Sequence, residues 1–458
     1  MTLDRPLRVA IIGAGPAGIY AADILTKAEI PTSIDLLERL PAPFGLVRYG
    51  VAPDHPRIKQ IIGALSNILS GGDIRLLANV NVGTDLSLDD VRAHYDAVVF
   101  ATGSFEDARL DIPGIDLEGS YGAADFVSWY DGHPDVPRTW PLEAREVAIL
   151  GVGNVALDIA RVLATHPQDL LATDAPANVL EGLEKSPLTD VHVFGRRGPA
   201  QVKFTPLELR ELAQVPDVDV VVYPEDYDFD EASQAAIESS HQTKHTVKTL
   251  MDWTLREPTG ASRRIHLHML QQPVEVLDDG AGRVAGVRME RTALQGDGTV
   301  KGTGVFLDYP CQAVYRAVGY WGSEIPGVPF DDARGVIRNV EGRVVTPDGE
   351  PIPGFYTTGW IKRGPVGLIG HTKSDAQETI GHIVEDAESL IATSAAEAEA
   401  LSPDKLLTLL LDRGVPVIQW DDWEVLDAHE VALGEAQGRE RVKVVAREEM
   451  TDVALRRG

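Results

Sequence analysis

A strand that runs directly into a glycine-rich turn is the feature that most limits how this chain can fold. The β-branched run Arg8–Ile12 leads into Gly13–Gly18 (GAGPAG), and a helical apolar pattern follows. A second strand, Ser33–Leu37, ends at Glu38. This order of strand, glycine turn, helix, strand and acid predicts a βαβ unit that binds a dinucleotide.

Each residue of this first motif has a separate physical task. Gly13 permits the tight turn, Gly15 lets the backbone approach a pyrophosphate, and Gly18 lets the helix pack close to the strand. The diphosphate would meet the N–H groups and the positive dipole end of the helix. Glu38 would accept hydrogen bonds from a ribose 2′-hydroxyl. The alternative is an ordinary tight turn that binds no nucleotide.

The same pattern starts again near Arg145 but ends in different chemistry. Glu146–Leu150 is a strand candidate, Gly151–Ala156 (GVGNVA) is a second glycine turn, and the next strand is followed by Arg196 and Arg197. Two guanidinium groups suit a 2′-phosphate, whereas an acid there would repel it. The second site therefore predicts NADP, although a solvated pair of surface arginines is the alternative.

Composition excludes several classes of function. Among 458 residues the formal charge is −28, which disfavours nucleic acid and anionic membranes as partners. The single cysteine, Cys311, excludes an intrachain disulfide, a CxxC redox pair and a cysteine-ligated cluster. We expect no metal site, no membrane span, no targeting segment and a cytoplasmic location. Redox chemistry therefore needs an organic cofactor, and FAD is the usual partner of a nicotinamide.

The fold class that follows is α/β with two Rossmann-like dinucleotide-binding domains, the second inserted into a discontinuous first. The predicted boundaries are 1–105 and 325–458 for the FAD domain, with a C-terminal tail, and 106–324 for the NADP domain. Four further elements are predicted from local pattern: a helix over 57–69, strands over 265–277 and 311–318, and a helix over 375–392.

Six stretches together resemble the adrenodoxin reductase family of ferredoxin–NADP reductases, in the glutathione-reductase-like class. The resemblance spans nearly the whole chain, and the second and last stretches are long enough to be specific. The matching stretches are 13–18, 44–56 (FGLVRYGVAPDHP), 151–158 (GVGNVALD), 195–199 (GRRGP), 207–212 (LELREL) and 359–370 (GWIKRGPVGLIG).

The resemblance implies which residues contact the two cofactors. Trp360 and the turn 367–369 would lie beside the isoalloxazine ring, with Gly367 also near the nicotinamide. Arg109 stands one place beyond the column where the family keeps an arginine, so its role toward NADP stays open. The FAD set is Gly13, Ala14, Gly15, Gly18, Glu38, Leu46, Val82, Trp360, Gly367, Leu368 and Ile369; the NADP set is Gly153, Asn154, Val155, Ala156, Arg196, Arg197 and Glu208.

The implied activity is that of a ferredoxin–NADP(+) reductase, in which NADPH reduces FAD and electrons pass singly to an iron–sulfur protein. His55 and Glu211 are, by the same resemblance, the titratable pair near the nicotinamide, as orienting or proton-relay groups. His55 could equally cap the helix that follows it. A flavin monooxygenase and a non-catalytic flavin redox sensor are the alternative functions.

The distribution of charge suggests where an acidic ferredoxin would dock. A stretch over 213–243 has eight acids and no base, and the next stretch is basic. We expect this basic stretch, with Arg48 or Lys362 and Arg363 nearer the flavin, to form the docking face of a monomer. Its basic residues are Lys244, Lys248, Arg256, Arg263 and Arg264.

Overall fold

The computed structural model describes residues 3–367, 369–393 and 402–456. The chain divides into two compact units. Unit 1 contains the residues up to Glu106, the short segment His133–Asp135, and the residues from Tyr320 onward. Unit 2 contains Asp107–Gly132 and Val136–Gly319. Each unit contains one of the two glycine turns.

The strands of the described residues are numbered β1 to β20 in chain order. They are Leu7–Ile12, Thr32–Glu38, Ile74–Ala78, Ala97–Phe100, Glu106–Asp107, Ser120–Gly122, Glu146–Leu150, Asp190–Phe194, Val218–Val222, Arg263–His268, Gln271–Asp278, Val284–Leu294, Val300–Pro310, Ala313–Arg316, Tyr320–Trp321, Phe330–Asp331, Val336–Ile337, Asn339–Val340, Arg343–Val345 and Pro351–Thr357.

The α-helices of the described residues are numbered α1 to α17 in the same way. They are Pro16–Thr26, Leu46–Tyr49, Pro56–Lys59, Ile61–Leu69, Leu88–His94, Ala123–Tyr130, Asn154–Ala164, Pro167–Leu170, Ala177–Glu184, Pro206–Leu212, Glu231–Ser239, His241–Trp253, Trp360–Arg363, Ile369–Thr393, Pro403–Asp412, Trp420–Glu435 and Arg447–Ala454.

Unit 1 is built on a seven-stranded sheet in the order β18-β19-β20-β4-β1-β2-β3. The strands from β20 to β3 are parallel, and β18 and β19 are antiparallel. β1 is fully buried, as expected for the central strand of a parallel sheet covered on both faces. The register pairs Ile12 with Leu37, so the Gly13 turn begins beside Glu38, the last residue of β2.

Unit 2 is built on a six-stranded parallel sheet in the order β6-β14-β7-β8-β10-β9. An antiparallel sheet, β11-β12-β13, also belongs to this unit, and the two share a buried cluster that includes Cys311. The register pairs Leu150 with Phe194, so the Gly151 turn and the Gly195–Arg197 segment begin at neighbouring strand ends. The predicted α/β class with two Rossmann-like folds is confirmed.

Several element bounds differ from the sequence predictions. The helix expected over 57–69 is two helices, α3 and α4, that meet at Gln60. The strand expected over 265–277 is two strands in different sheets, because Leu270 between them has a φ of 54° and turns the chain. The strand expected over 311–318 spans only Ala313–Arg316. The helix expected over 375–392 begins six residues earlier, at Ile369.

Among the described residues, no helix is both long and apolar enough to cross a bilayer.

Candidate functional site

The first glycine turn has the backbone geometry that a dinucleotide site needs. Gly13 has a φ of 110°, and a Cβ there would lie 2.5 Å from the carbonyl oxygen of Ala101. A Cβ on Gly18 would lie 1.9 Å from the carbonyl oxygen of Gly13, so helix α1 can pack this closely only with glycine. These two positions therefore tolerate no side chain.

The start of helix α1 leaves its N–H groups available for an anion. Its N-cap is Gly15, which has no side chain to accept a hydrogen bond, and its first turn has no acid. The Cα of Gly45 approaches this turn so closely that a Cβ on Gly45 would lie 3.0 Å from the Cα of Gly15. The turn thus forms a backbone-walled anion cradle that fits the diphosphate of FAD.

Glu38 supports the glycine turn directly. Its Oε2 accepts a hydrogen bond from the N–H of Ala14 at 2.9 Å, and its Oε1 accepts one from Leu40 at 3.0 Å. Burial raises the pKa of Glu38 above its ordinary value, although these backbone N–H groups lower it. Each carboxylate oxygen has a second lone pair, so the predicted bond to a ribose hydroxyl remains compatible with this bracing role.

The other residues implied for FAD lie on three segments of unit 1. Leu46 begins helix α2, and Val82 lies in the turn after β3, where it forms an isolated bridge with Leu86. Trp360 begins helix α13, and its ring lies 6.3 Å from that of Tyr320.

The late glycine loop is described only in part. Gly367 has a φ of 91°, which favours glycine. Ile369 begins helix α14. Leu368 lies outside the described residues.

Asp375 is a supporting residue that the sequence analysis missed. Its Oδ2 accepts hydrogen bonds from the N–H of Gly359 at 2.6 Å and from the hydroxyl of Thr358 at 3.1 Å. A Cβ on Gly359 would lie 2.6 Å from that of Ala17 in helix α1. The carboxylate therefore fixes the turn that places Trp360. No local motif marks Asp375, because its partners lie 16 and 17 residues away.

The second glycine turn, in unit 2, repeats this geometry. Gly151 has a φ of 137°, and a Cβ there would lie 2.1 Å from the carbonyl oxygen of Ala317. Gly153 is the N-cap of helix α7 and faces open space. Asn154 accepts a hydrogen bond from the N–H of Thr205 at 3.0 Å through its side-chain oxygen.

The remaining residues of this turn differ in burial. Ala156 is fully buried, where a larger residue would displace helix α7, and Val155 is half-buried. Gly153, by contrast, faces open space at the start of the helix.

Arg196 and Arg197 follow β8 at the predicted position. Arg196 is exposed and Arg197 is half-buried, and in the described part of the chain neither forms an ion pair. Their carbonyl oxygens are held by the hydroxyl of Thr292 at 2.7 Å and the N–H of Leu270 at 3.2 Å. The backbone is therefore fixed while both charges remain available to a phosphate.

Two other residues implied for NADP have different surroundings. Glu208 is buried in helix α10, and its carboxylate lies 3.5 Å from Arg161, which also binds Asp158 at 2.8 Å. Glu208 therefore belongs to a buried ion network. Arg109 is exposed, next to Ala108, whose N–H donates to the carbonyl of Gly319 at 2.9 Å.

His55 and Glu211 belong to different units, His55 to unit 1 and Glu211 to helix α10 of unit 2. His55 is buried, and its side chain does not cap helix α3. Its carbonyl oxygen instead accepts the N–H of Ile58 at 3.1 Å. The capping alternative is thus limited to the backbone of His55.

Part of the expected docking face is wrong. Arg263 is buried, and its guanidinium donates to the carbonyls of Leu163, Ala164 and Thr165 at the end of helix α7. Arg264 makes a two-pronged ion pair with Asp190, at 2.7 and 2.9 Å. Arg263 is therefore unavailable for docking, whereas Arg264 remains exposed although it is paired.

Two of the three residues expected nearer the flavin, Arg48 and Lys362, are buried and therefore unsuited to docking. The third, Arg363, is half-buried and lies 3.6 Å from Asp375. Arg48 pairs with Glu430, and Lys362 pairs with Asp375 and Glu378. The positions of basic residues in the sequence could not show that these charges are buried, because the acids that pair with them are distant in sequence.

The sequence is similar to one described family and to reductases from several organisms. Residues 7–192 match the family described as pyridine nucleotide-disulphide oxidoreductase. The NADPH-ferredoxin reductase FprA of Mycobacterium tuberculosis is 39% identical over 98% of this chain and 100% of its own length. The mitochondrial NADPH:adrenodoxin oxidoreductase of Arabidopsis thaliana is 38% identical over 98% of this chain and 96% of its own length.

A solved structure of Mycobacterium tuberculosis FprA in complex with NADPH superposes with a TM-score of 0.90 and 38% identity, covering 98% of this chain and 100% of that one. The two glycine turns therefore lie in a fold that closely matches an NADPH-bound reductase. The chain belongs to the family of NADPH-ferredoxin and NADPH:adrenodoxin reductases.

Proposed function

We propose that this chain is an NADPH-dependent flavoprotein reductase that passes electrons from NADPH through FAD, singly, to a ferredoxin-type iron–sulfur protein. The observation that supports this function most strongly is the contrast between the two glycine turns. The first has Glu38 beside it and the second has Arg196 and Arg197, which are opposite charges at the same place in the motif. Two dinucleotides with different ribose chemistry fit this contrast.

FAD binds at the turn of unit 1, and NADP(H) binds at the turn of unit 2. FAD supplies chemistry that the side chains lack, since it takes up a hydride and returns electrons one at a time. The chain itself supplies backbone N–H donors, a bracing carboxylate on Glu38 and two guanidinium groups. The FAD and NADP residue sets and the domain boundaries 1–105, 106–324 and 325–458 are part of this proposal.

His55 and Glu211 act as orienting or proton-relay groups. Hydride transfer depends on alignment more than on a proton donor, so neither residue needs to be an acid in the transfer itself. Their contribution is testable with His55→Gln, which should lower kcat without changing the KM for NADPH. A KM change alone would assign His55 to coenzyme binding.

The electron acceptor is a ferredoxin-type iron–sulfur protein, and the activity is that of a ferredoxin–NADP(+) reductase. The proposed docking residues that remain are Lys244, Lys248, Arg256 and Arg264, with Arg363 nearer the flavin. Lys248 pairs with Asp252, Arg264 pairs with Asp190, and Arg256 lies over the ring of Trp253. A monomer in the cytoplasm is also part of the proposal, and the one cysteine suits a reducing compartment.

The test measures cytochrome c reduction by NADPH with and without added ferredoxin. The proposal expects reduction that depends on ferredoxin. A flavin monooxygenase would instead couple NADPH oxidation to hydroxylation of a small substrate, with oxygen consumed in equal amount. A non-catalytic redox sensor would leave the flavin oxidised when NADPH is added without oxygen. Either of these results would overturn the proposed function.

A further inference from the structure

The C-terminal segment 416–454, itself part of unit 1, contacts the ends of two strands of the seven-stranded sheet. The N–H of Ala78, at the end of β3, donates to the carbonyl of Ile418 at 2.8 Å. The guanidinium of Arg447 donates to the carbonyl of Arg39, just after β2, at 2.9 Å and to the side chain of Asn79 at 2.8 Å. The carboxyl ends of parallel strands are where dinucleotides bind in such sheets.

The loop 41–50, which follows β2, has a backbone conformation that needs outside support. Phe44 has a φ of 84°, which is unfavourable for a bulky side chain, and Gly45 follows with a φ of 51°. This conformation brings the N–H of Phe44 to the carbonyl of Ala14 at 2.8 Å and the Cα of Gly45 against Gly15. The loop thus covers the first glycine turn at the cost of backbone strain.

The C-terminal segment supplies that support through helix α16. The ring of Trp423 meets the ring of Phe44 edge to face at 5.8 Å. The guanidinium of Arg48 lies 5.2 Å from the ring of Trp423 and donates to Glu430 Oε1 at 2.6 Å. Both side chains of this ion pair are almost fully buried, at 3% and 0% exposed.

A second buried cation, Lys443, also binds the loop 41–50. The ammonium group of Lys443 donates to the carbonyl oxygen of Arg48 at 3.1 Å, at the last turn of helix α2. Glu430 Oε1 also accepts the N–H of Val444 at 3.0 Å. Glu430 therefore ties helix α16, the chain after it and the loop 41–50 into one buried cluster.

We infer that the C-terminal segment is a working part of the FAD site, with the Arg48–Glu430 pair as the latch that keeps the loop 41–50 closed over the first glycine turn. This inference rests on the proposed binding of FAD in unit 1. Glu430 and Trp423 are positioning residues, since they act on the cofactor through Arg48 and Phe44.

The physical consequence concerns retention of the cofactor. Without the carboxylate of Glu430, the charge of Arg48 would be buried without compensation, and the folded protein would lower its free energy by moving Arg48 into water. That movement would carry Phe44 and Gly45 away from the turn and relieve their strained backbone. The diphosphate would then lose its cover, and FAD would leave faster.

The test measures the rate of FAD release from purified holoprotein by the rise in flavin fluorescence after dilution. Glu430→Gln keeps the shape of the side chain and removes its charge, and should speed release by about ten-fold or more. Trp423→Leu, a milder change in the same cluster, should speed release in the same direction. The Trp423→Leu variant can be measured instead if Glu430→Gln yields too little folded protein.

The matched control is Asp35→Asn, which breaks another buried charge network of unit 1. Asp35 is 1% exposed and binds Arg8 and Arg75 at 2.8 Å, both near the amino ends of their strands. This control should lower the melting temperature without speeding FAD release. A merely structural role for Glu430 would produce the same result as the control.

The outcomes separate the inference from the proposed function. Failure of the unmutated protein to bind FAD would overturn the proposed function. Tight FAD binding by the unmutated protein, with release from Glu430→Gln and Trp423→Leu at the same slow rate, would overturn the inference alone. Faster release from Asp35→Asn as well would also overturn it, because general destabilisation would then explain the effect.

Discussion

The carboxylate of Asp375 accepts a 2.6 Å hydrogen bond from the backbone N–H of Gly359, at the turn where β20 leads into helix α13. Gly359 has a φ of 76°, so this bond holds a backbone conformation that few residues adopt. The same carboxylate lies 3.1 Å from the ammonium group of Lys362, which is buried. One acid thus orders the turn and compensates a buried cation.

Replacing this acid with its amide should loosen the turn. Asp375→Asn weakens the bond to Gly359 and removes one counter-charge of Lys362, so the free energy of unfolding should fall by about 1–3 kcal/mol. Denaturant titration of the purified protein measures this. The neighbouring exposed change Ser374→Ala is the control and should stay within about 0.5 kcal/mol. Equal values for the two variants would contradict the role of Asp375.

Coenzyme preference should depend on the two arginines after β8. Replacing Arg196 and Arg197 with alanine removes charge-assisted bonds to a 2′-phosphate, so the KM for NADPH should rise about ten- to a hundred-fold. The KM for NADH should change little, because NADH has no 2′-phosphate. Steady-state kinetics with both coenzymes measure this.

The control for coenzyme preference is Arg283→Ala, which removes an exposed arginine that pairs with Glu118. It should leave both KM values unchanged. An equal rise for NADH and NADPH in the double variant would mean that the arginines do not contact the 2′-phosphate.

The glycine turns and the charged residues at the ends of β2 and β8 could be predicted because each motif is local in sequence. Glu38 is the last residue of β2 and Arg196 lies two residues beyond β8, so the strand ends position both. Asp375 and Glu430 could not be predicted, because their partners lie 16 and 382 residues away and only the folded sheet brings them together.

Charge was the least reliable guide. Arg263 and Arg264 are neighbours on β10, and because successive side chains of a strand point to opposite faces, one caps helix α7 and the other pairs with Asp190. Only Arg263 is lost from the surface, because Arg264 is on the exposed face of the strand; a count of basic residues does not distinguish the two faces.

Ferredoxin docking should respond to one exposed lysine of the basic stretch. Lys244→Glu should raise the KM for ferredoxin about two- to five-fold at low salt, because an exposed charge pair is worth about 0.2–1 kcal/mol. The effect should fade as salt is added. Lys301→Glu, an equal charge reversal on the exposed strand β13, is the control. If both variants behave alike, only net charge matters and docking lies elsewhere.

Acid should destabilise unit 2 through three stacked histidines. Burial lowers the pKa of His192 to about 4 and that of His268 to about 2, and it also lowers the pKa of His266. His192 and His268 share a 3.0 Å hydrogen bond. The titratable and charged groups around them are Glu146, Asp190, Tyr223, Asp226, Arg264, Arg291 and Tyr309.

The direction of this pH effect follows from the unfolded chain, where a histidine has a pKa of about 6.5. Between pH 7 and 4 these histidines become protonated in the unfolded chain but stay neutral in the folded protein. The free energy of unfolding therefore falls as the pH falls. The difference between a pKa of 6.5 in the unfolded chain and about 4 in the folded protein corresponds, for His192, to a loss of about 3 kcal/mol in the free energy of unfolding once both states are protonated. Melting temperatures of the holoprotein across this range measure the loss.

His268→Phe should flatten this pH dependence, because phenylalanine keeps the stacking and removes one titrating group. His245→Gln, at an exposed histidine of helix α12, should leave the pH profile unchanged. A profile of His268→Phe that matches the unmutated protein would assign the acid sensitivity to other groups.

The visible flavin absorbance of the purified protein, followed without oxygen, shows whether electrons pass from NADPH through FAD to ferredoxin. NADPH should bleach the oxidised flavin band, and oxidised ferredoxin should restore it in a ratio of two ferredoxins per flavin. A flavin that NADPH leaves oxidised, or a reduced flavin that ferredoxin does not reoxidise, would rule out this path for the electrons.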